Sequence, residues 1–534
     1  MSKAIESAVF ERRVNALFAP YTKPGSPGAV VGVMRGGEIE LCKGFGLASI
    51  ELGVPIRPDT RFRIASVSKQ FTVTAALMLA AEGKLKLSDP PHKYLPELPP
   101  LPVTIDQMMR NSSGLPDFLE LLRLGGHGLD RPARPEDLFD ACTRNRHLNF
   151  SAGSRFLYSN TNFLLLGLIV EKLAKKKLGE VLGERIFKPL GMAHTSLVAE
   201  IDAVIPNLAN GYLGDAEQGF RRAAHAYPQG GEGGLTSTVE DLLIWSRHFD
   251  KPTLGKTIPA QLTAIASLTG GKANNYRRGV AVEELRGLQT VGHGGLWPGF
   301  RTEFLRVPKA DLTVVVIANL GSIDPWRRAR TIAALALESD RRMKPALPPI
   351  TAAEIKPLAG TWFNAEEPSL FDLAWRNGEA VVSQNGMPFV LGRRAGGWLG
   401  AERGSYEFAL KPGPKGTLKV DLGAGRIVTF SKLAKRAAVP ADLAGTYVSS
   451  DCAAVWRIAR DGKDWTMEVG GPLISGGAPW IVRGLDADTV EVESPGSWIK
   501  ATQLAHLVRD RDGKIAALEV STGRIKKMRF ERED

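Results

Sequence analysis

The sequence changes character once, near residue 340, and no other feature limits the fold as much. Before that point, helix-length apolar stretches alternate with strand-like runs. After it, the helix signal fades into short alternating segments punctuated by Gly, Pro and Asp, an all-β pattern. The β-rich part repeats itself. Leu358-Ala359-Gly360-Thr361-Trp362 returns as Leu443-Ala444-Gly445-Thr446-Tyr447, and Gly425-Arg426-Ile427 returns as Gly523-Arg524-Ile525. Two copies are too few for a solenoid, which needs about three units. They predict two small β-barrels, each of the eight-stranded up-and-down type.

The part before residue 340 predicts an α+β catalytic domain, an antiparallel sheet holding a helical insertion. Segments 29–35 and 38–44 flank Gly36-Gly37 and read as a hairpin. Segment 66–82 is apolar on most faces and stops at Gly83, a C-cap signal. A short helix starts at Thr104, and an apolar one covers 161–177. Thr238 with Asp241 opens another, running to Phe249. Strand runs return at 279–285, 288–292, 301–307 and 312–318, before a last helix over 326–337. Segment 340–356, basic and proline-rich, reads as a linker. The expected domains are 1–340, 341–437 and 438–534.

Composition removes several function classes. The chain has 534 residues, more than one core usually holds, and a formal net charge of +12. The densest basic runs, Lys175-Lys176-Lys177, Arg327-Arg328-Ala329-Arg330 and Arg341-Arg342-Met343-Lys344, are isolated and read as solvated faces. No nucleic-acid signature accompanies them, so no nucleic-acid partner is expected. Cys42, Cys142 and Cys452 are odd in number and far apart, and read as small buried side chains without a metal or disulfide framework. The first residues show no signal peptide. No run approaches the roughly 18 apolar residues of a membrane span. The expected location is cytoplasmic, with no membrane partner.

Chemistry concentrates in three short motifs. In Ser66-Val67-Ser68-Lys69, at the head of an apolar helix, positions i and i+3 share a face and set an amine beside a hydroxyl. A serine is a weak nucleophile until a base takes its proton. The same spacing in Ser497-Trp498-Ile499-Lys500 opens no apolar helix and is set aside as coincidence. Tyr158-Ser159-Asn160 stands at a loop-to-helix junction that can aim Tyr158 and Asn160 inward. His293-Gly294-Gly295 ends one strand run shortly before another. Taken singly, a half-buried Tyr, a capping Asn and a structural His explain the second and third motifs. Together they count for more. Of eight tyrosines only Tyr158 gives Tyr-x-Asn, and of eight histidines only His293 gives His-x-Gly.

The set Ser66-x-x-Lys69, Tyr158-x-Asn160 and His293-x-Gly295 resembles the penicillin-recognising serine enzymes: class C β-lactamases, D,D-peptidases, related esterases and D-aminopeptidases. His293-Gly294-Gly295 stands where class C β-lactamases carry Lys-Thr-Gly and is similar to the histidine motif of the D-aminopeptidases. Segment 60–71, Asn111-Ser112-Ser113-Gly114-Leu115 and His293-Gly294-Gly295-Leu296 carry the likeness further, and one catalytic domain followed by two barrels matches the three-domain D-aminopeptidase layout. The resemblance implies an acyl-enzyme on Ser66, proton relay by Lys69 and Tyr158, and His293 keeping Tyr158 poised. It implies an oxyanion hole from the N–H groups of Ser66 and Leu296, with Asn160, Gly294 and Gly295 lining the substrate site. No metal or organic cofactor is implied.

For substrate, the resemblance implies a D-stereospecific aminopeptidase or amidase acting on small peptides and amides. The alternatives are an esterase, β-lactamase or D,D-peptidase of the same fold, or a non-catalytic acylation sensor. In the D-aminopeptidases a loop of the last barrel reaches the cleft and supplies an acid. Segment 493–503 is its counterpart here by position and contains no Asp, leaving Glu493 as the candidate acid and Trp498 as a candidate plug. The expected partner is a small peptide, amide or ester substrate; a homodimer is compatible with this reading.

Overall fold

In the computed structural model, which describes residues 7–533 except 129–130, 225, 229, 402–407, 424, 474–477 and 496–500, both ends of the first region meet in one sheet. Its six antiparallel strands lie in the order Ala281–Leu285, Leu288–Trp297, Phe300–Val307, Leu312–Ala318, Ala29–Arg35, Glu38–Phe45. Ala29 pairs with Ala318 and Arg35 with Leu312, so the N-terminal hairpin docks beside the later meander. Gly36 and Gly37 turn that hairpin at positive φ, 58° and 81°. That conformation costs glycine little.

Side-chain alternation splits the sheet between two cores. Val31, Val33, Val314 and Val316 face Phe10, Val14 and Phe18 of the helix Ser7–Phe18 and Ile332 of the helix Pro325–Ala336. Val30, Val315 and Ile317 face the other way, onto Val239 and Leu243 of the helix Val239–Asp250 and the larger helical layer. At the centre of that layer Lys69–Ala81 packs on Thr161–Ala174. Both helices are apolar nearly all round because both are enclosed.

The predicted α+β architecture holds, with differences of detail. The helices Ser7–Phe18, Phe118–Leu124, Pro135–Arg144 and Leu178–Leu182 escape the sequence reading. The last three span ten residues or fewer, too short for an apolar period to repeat. His293-Gly294-Gly295 lies inside the ten-residue strand Leu288–Trp297 rather than at the end of a run. The glycines silence the strand pattern, but pairing with Phe300–Val307 continues through them, Gly294 to Glu303 and Gly295 to Thr302.

The β-rich part forms two closed barrels of eight antiparallel strands. Trp362↔Lys432 closes the first and Tyr447↔Arg532 the second, which leaves no strand edge open. The repeat explains itself here. Trp362 Nε1 donates to Leu358 O at 2.8 Å, and Tyr447 Oη donates to Leu443 O at 3.0 Å. Each aromatic ring fills its barrel while its polar end ties down the entering chain. Cys42, Cys142 and Cys452 are free thiols, the latter two buried. Among the described residues no helix is long and apolar enough to cross a membrane.

The second barrel docks on the helix Phe118–Leu124. Leu121 and Leu124 belong to the same apolar cluster as Trp456 and Phe530, and Trp456 Nε1 donates to Leu124 O at 2.8 Å. Trp456→Phe removes that bond and leaves a phenyl ring in the space of a buried indole. It is expected to cost about 2 kcal/mol or more, seen as a lower thermal midpoint; an unchanged midpoint would show that the contact carries no stability.

Candidate active site

Ser66 stands in the 3₁₀ turn Ala65–Ser68 that leads into Lys69–Ala81. Ala65 holds φ at 48°, a left-handed conformation that costs an L residue about 1 kcal/mol or more. The turn is pinned from outside: Ile64 N donates to Leu235 O at 3.0 Å, and Leu235 N donates to Ser68 Oγ at 3.1 Å. Ser66 is half-buried, and Lys69 one turn later is fully buried.

Lys69 Nζ lies 3.0 Å from Ser66 Oγ, 2.9 Å from Asn160 Oδ1 and 2.5 Å from the Glu232 carbonyl. Three acceptors match the three N–H donors of an ammonium. Burial nonetheless pushes the amine down to about 7. The Glu232 and Asp117 carboxylates oppose that shift, and the Arg524 guanidinium adds to it. Near neutral pH the amine is therefore divided between both forms. The neutral form has a lone pair to turn toward the Ser66 hydroxyl.

Asn160 has its orientation fixed at both ends. Its Oδ1 faces Lys69, while its backbone N and Nδ2 donate to Asp117 Oδ2 at 2.8 and 2.9 Å. Asp117 is fully buried and caps Phe118–Leu124. Asn111 supports the Tyr158 segment: its Oδ1 accepts from Ser159 N at 3.0 Å and from Asn162 Nδ2 at 2.8 Å, at a φ of 51°. The Asn111-Ser112-Ser113-Gly114 motif thus acts as a brace beneath Tyr158-Ser159-Asn160.

Tyr158 is buried, its ring centroid 5.0 Å from Lys69 Nζ. Tyr276 meets it edge-on at 5.9 Å, and the His293 ring is 6.1 Å away. His293 meets Tyr158 ring to ring, and both of its ring nitrogens are engaged elsewhere. Its Nδ1 lies 2.6 Å from Gly294 O, an acceptor, so Nδ1 carries the proton. Nε2 then accepts from Tyr276 Oη at 2.9 Å. Burial, with Lys69 nearby, drives the imidazole down to about 3, so His293 is neutral at physiological pH. It reaches Tyr158 by ring packing and through Tyr276.

The two glycines have separate structural reasons. A Cβ on Gly295 would stand 2.3 Å from Ile64 O, so only glycine lets this strand lie against the Ser66 turn. A Cβ on Gly294 would stand 3.1 Å from Glu303 Oε2. Leu296 follows on the same strand, in register with Arg301.

Ser66, Lys69, Tyr158, Asn160, His293 and the Gly294–Leu296 segment thus come together. Glu493 instead sits on the second-barrel strand Thr489–Ser494 and pairs with Arg483 at 3.0 Å. Trp498 lies outside the described residues. Four residues of the site escaped the sequence reading: Asp117, Glu232, Tyr276 and Arg524. Burial pushes the Glu232 carboxyl upward, against two contacts from Gly230 N and the nearby Lys69. Arg524 enters from the second barrel, with Nη1 3.3 Å from Asp117 Oδ2 and Cζ 4.7 Å from the Tyr158 ring centroid. Asp117 had a local signal, an Asp after Pro116 at a helix start, and Arg524 stood in the barrel repeat with nothing to tie it to the site; Glu232 and Tyr276 had no signal.

Residues 14–338 match the Beta-lactamase family. The chain is 31% identical over 329 residues to a D-aminopeptidase of Gluconobacter oxydans, covering 61% of this chain and 62% of that protein. It is 29% identical over 294 residues to a D-aminopeptidase of Brucella anthropi, covering 55% and 56%. The matched regions span less than two thirds of these relatives' length. Among solved structures, an octameric penicillin-binding protein homologue from Pyrococcus abyssi aligns over 98% of this chain and all of its own, at TM-score 0.56 and 20% identity. A D-amino acid amidase from Ochrobactrum anthropi SV3 aligns over 62% of this chain and 98% of its own, at TM-score 0.52 and 23% identity. At these identities the structures speak for the fold alone.

Two outcomes follow from the geometry. Ser66 can lose its proton to Lys69 only when the amine is neutral, so labelling of Ser66 by a fluorophosphonate should accelerate with rising pH, with a midpoint near 7. A flat profile from about pH 5 to about pH 9 would remove Lys69 as the base. Gly295→Ala should push the strand off the Ile64 carbonyl and slow the same labelling about 10²-fold, with circular dichroism unchanged. A rate like that of the parent chain would separate the strand from the site.

Proposed function

The chain belongs to the Beta-lactamase family, and from that premise we propose that it is a serine hydrolase with an acyl-enzyme on Ser66, releasing N-terminal D-amino acids from small peptides and amides. The observation that carries this reading is the buried Lys69 amine, 3.0 Å from Ser66 Oγ and held near 7. The D-aminopeptidase relatives support the substrate class.

As Ser66 Oγ bonds to the substrate carbonyl carbon, its proton passes to Lys69 Nζ. The oxygen of the tetrahedral intermediate takes the negative charge and is met by the N–H groups of Ser66 and Leu296, where fixed dipoles cost no reorganisation. Tyr158 carries the proton onward to the departing nitrogen. The C–N bond then breaks and the amine leaves. Water attacks the resulting ester, gives its proton to the same relay and frees the acid and Ser66. Asp117, Asn160, His293 and Tyr276 are positioning residues: the first two orient the Lys69 amine, the last two the Tyr158 ring.

One observation favours a second reading. The charge that the second barrel brings to Tyr158 is the cation Arg524, ill suited to a free α-ammonium. An esterase or D,D-peptidase of this fold accommodates it.

Ser66→Ala should lower turnover at least about 10³-fold without unfolding the chain; activity near that of the parent would end both readings. Paired D- and L-alanine p-nitroanilides, N-acetyl-D-alanine p-nitroanilide and a chromogenic cephalosporin then divide them. Cleavage of the free-amine D substrate alone supports the aminopeptidase, whereas silence there with turnover of the blocked amide or the cephalosporin supports the alternative.

A further inference from the structure

The two barrels end on equivalent turns. The second touches Tyr158 through Arg524, and the first reaches the segment before it through Glu367, which Arg426 shares with Arg155. Gly425-Arg426 lies between the last strands of the first barrel, Leu418–Asp421 and Ile427–Lys432. Gly523-Arg524 lies between Ile515–Ser521 and Met528–Arg532 of the second. The catalytic domain grips both. Lys272 Nζ donates to Gly425 O at 2.7 Å. Asn149 Nδ2 donates to Arg524 O at 3.0 Å, and Asn149 Oδ1 accepts from Lys526 N at 2.8 Å.

We propose that these turns build a carboxylate-binding subsite beside the Ser66 centre, formed by Arg155, Arg426 and Lys526. This rests on Ser66 being the nucleophile of an acyl hydrolase, and it assigns the substrate a free carboxylate. Arg155 stands three residues before Tyr158, and Lys526 two residues after Arg524, which touches Tyr158. Glu367 is shared, pairing with Arg155 at 3.3 Å and with Arg426. Glu120, the acid that most influences Lys526, is itself bonded to Arg123 at 2.6 Å. The cations therefore outnumber the carboxylates facing them among the described residues.

The cations act on one another. Burial and Arg155 bring Arg426 down to about 10. Burial, with Arg426 and Arg155 adding to it against Glu120, brings Lys526 down to about 8. A structural clasp alone would gain from balanced charge; this cluster has an excess that an incoming anion relieves. The two guanidinium groups are reachable, since the Arg155 and Arg426 side chains are 39% and 31% exposed; Lys526 is more enclosed, its Nζ donating to Thr522 O at 3.0 Å. Two guanidinium groups suit a planar carboxylate, which they can hold through paired N–H bonds.

The test compares D-alanyl-D-alanine with its C-terminal amide, by calorimetry on the Ser66→Ala chain and by kcat/KM on the active one. The free acid should bind about tenfold more tightly than the amide, and added salt should erode the difference. Arg426→Gln should bring the acid-to-amide ratio toward one, and Arg426→Lys should restore part of it. Equal binding of acid and amide, no binding of either, or a ratio that Arg426→Gln leaves untouched would overturn the subsite. Carboxylate discrimination in binding without turnover of any substrate would overturn the hydrolase reading and leave the subsite standing.

Discussion

The site depends on one buried amine. Lys69 has no contact with water, and all of its hydrogen-bonding capacity is spent on Ser66, Asn160 and the Glu232 backbone. Burial of a charge is costly unless it is paired. Asp117 and Glu232 are placed to offset that cost, and Arg524 to limit how far they do so. An amine held firmly as ammonium would have no lone pair for Ser66, and one wholly without partners would not hold its position. The surrounding architecture keeps Lys69 between these extremes: the strained Ala65 turn, the Asn111 brace, the glycine strand and the Asp117 cap.

The sheet and helical layer supply this environment with few special residues. Leu288–Trp297 can lie against the Ser66 turn because Gly295 carries no side chain. The helix Lys69–Ala81 can carry a buried lysine because the helix Thr161–Ala174 and the Asn160 that precedes it close over it. The barrels do more than decorate this arrangement. The second places Leu121 and Leu124 of the catalytic domain in its own apolar cluster, and it sends a charged side chain to the Tyr158 ring.

What could be read from the sequence was whatever repeats or has a short period. Ser66 and Lys69 are one helical turn apart, and Tyr158 and Asn160 share a single tripeptide. The barrel duplication appears in two five-residue copies whose aromatic residues make the same bond to the same preceding leucine carbonyl. The places of Asp117, Glu232, Tyr276 and Arg524 in the site were not legible for the opposite reason. Arg524 meets Asp117 across 407 positions, and Asp117 meets Asn160 across 43. No local pattern encodes such a meeting; it exists only once the layers have packed. The same holds for the tautomer of His293, which Gly294 O and Tyr276 fix and the motif does not. Arg426 and Arg524 were visible from the start as a repeat marker, while the contacts their turns make were not.

The reach of Arg524 to Asp117 makes the second barrel part of the surroundings of Lys69. Its guanidinium lies 3.3 Å from Asp117 Oδ2 and over the Tyr158 ring, and it is among the charges that lower the amine. A loosening of the barrel where it docks on Phe118–Leu124 would therefore be felt at Lys69 as a change of protonation, and not only as lost stability.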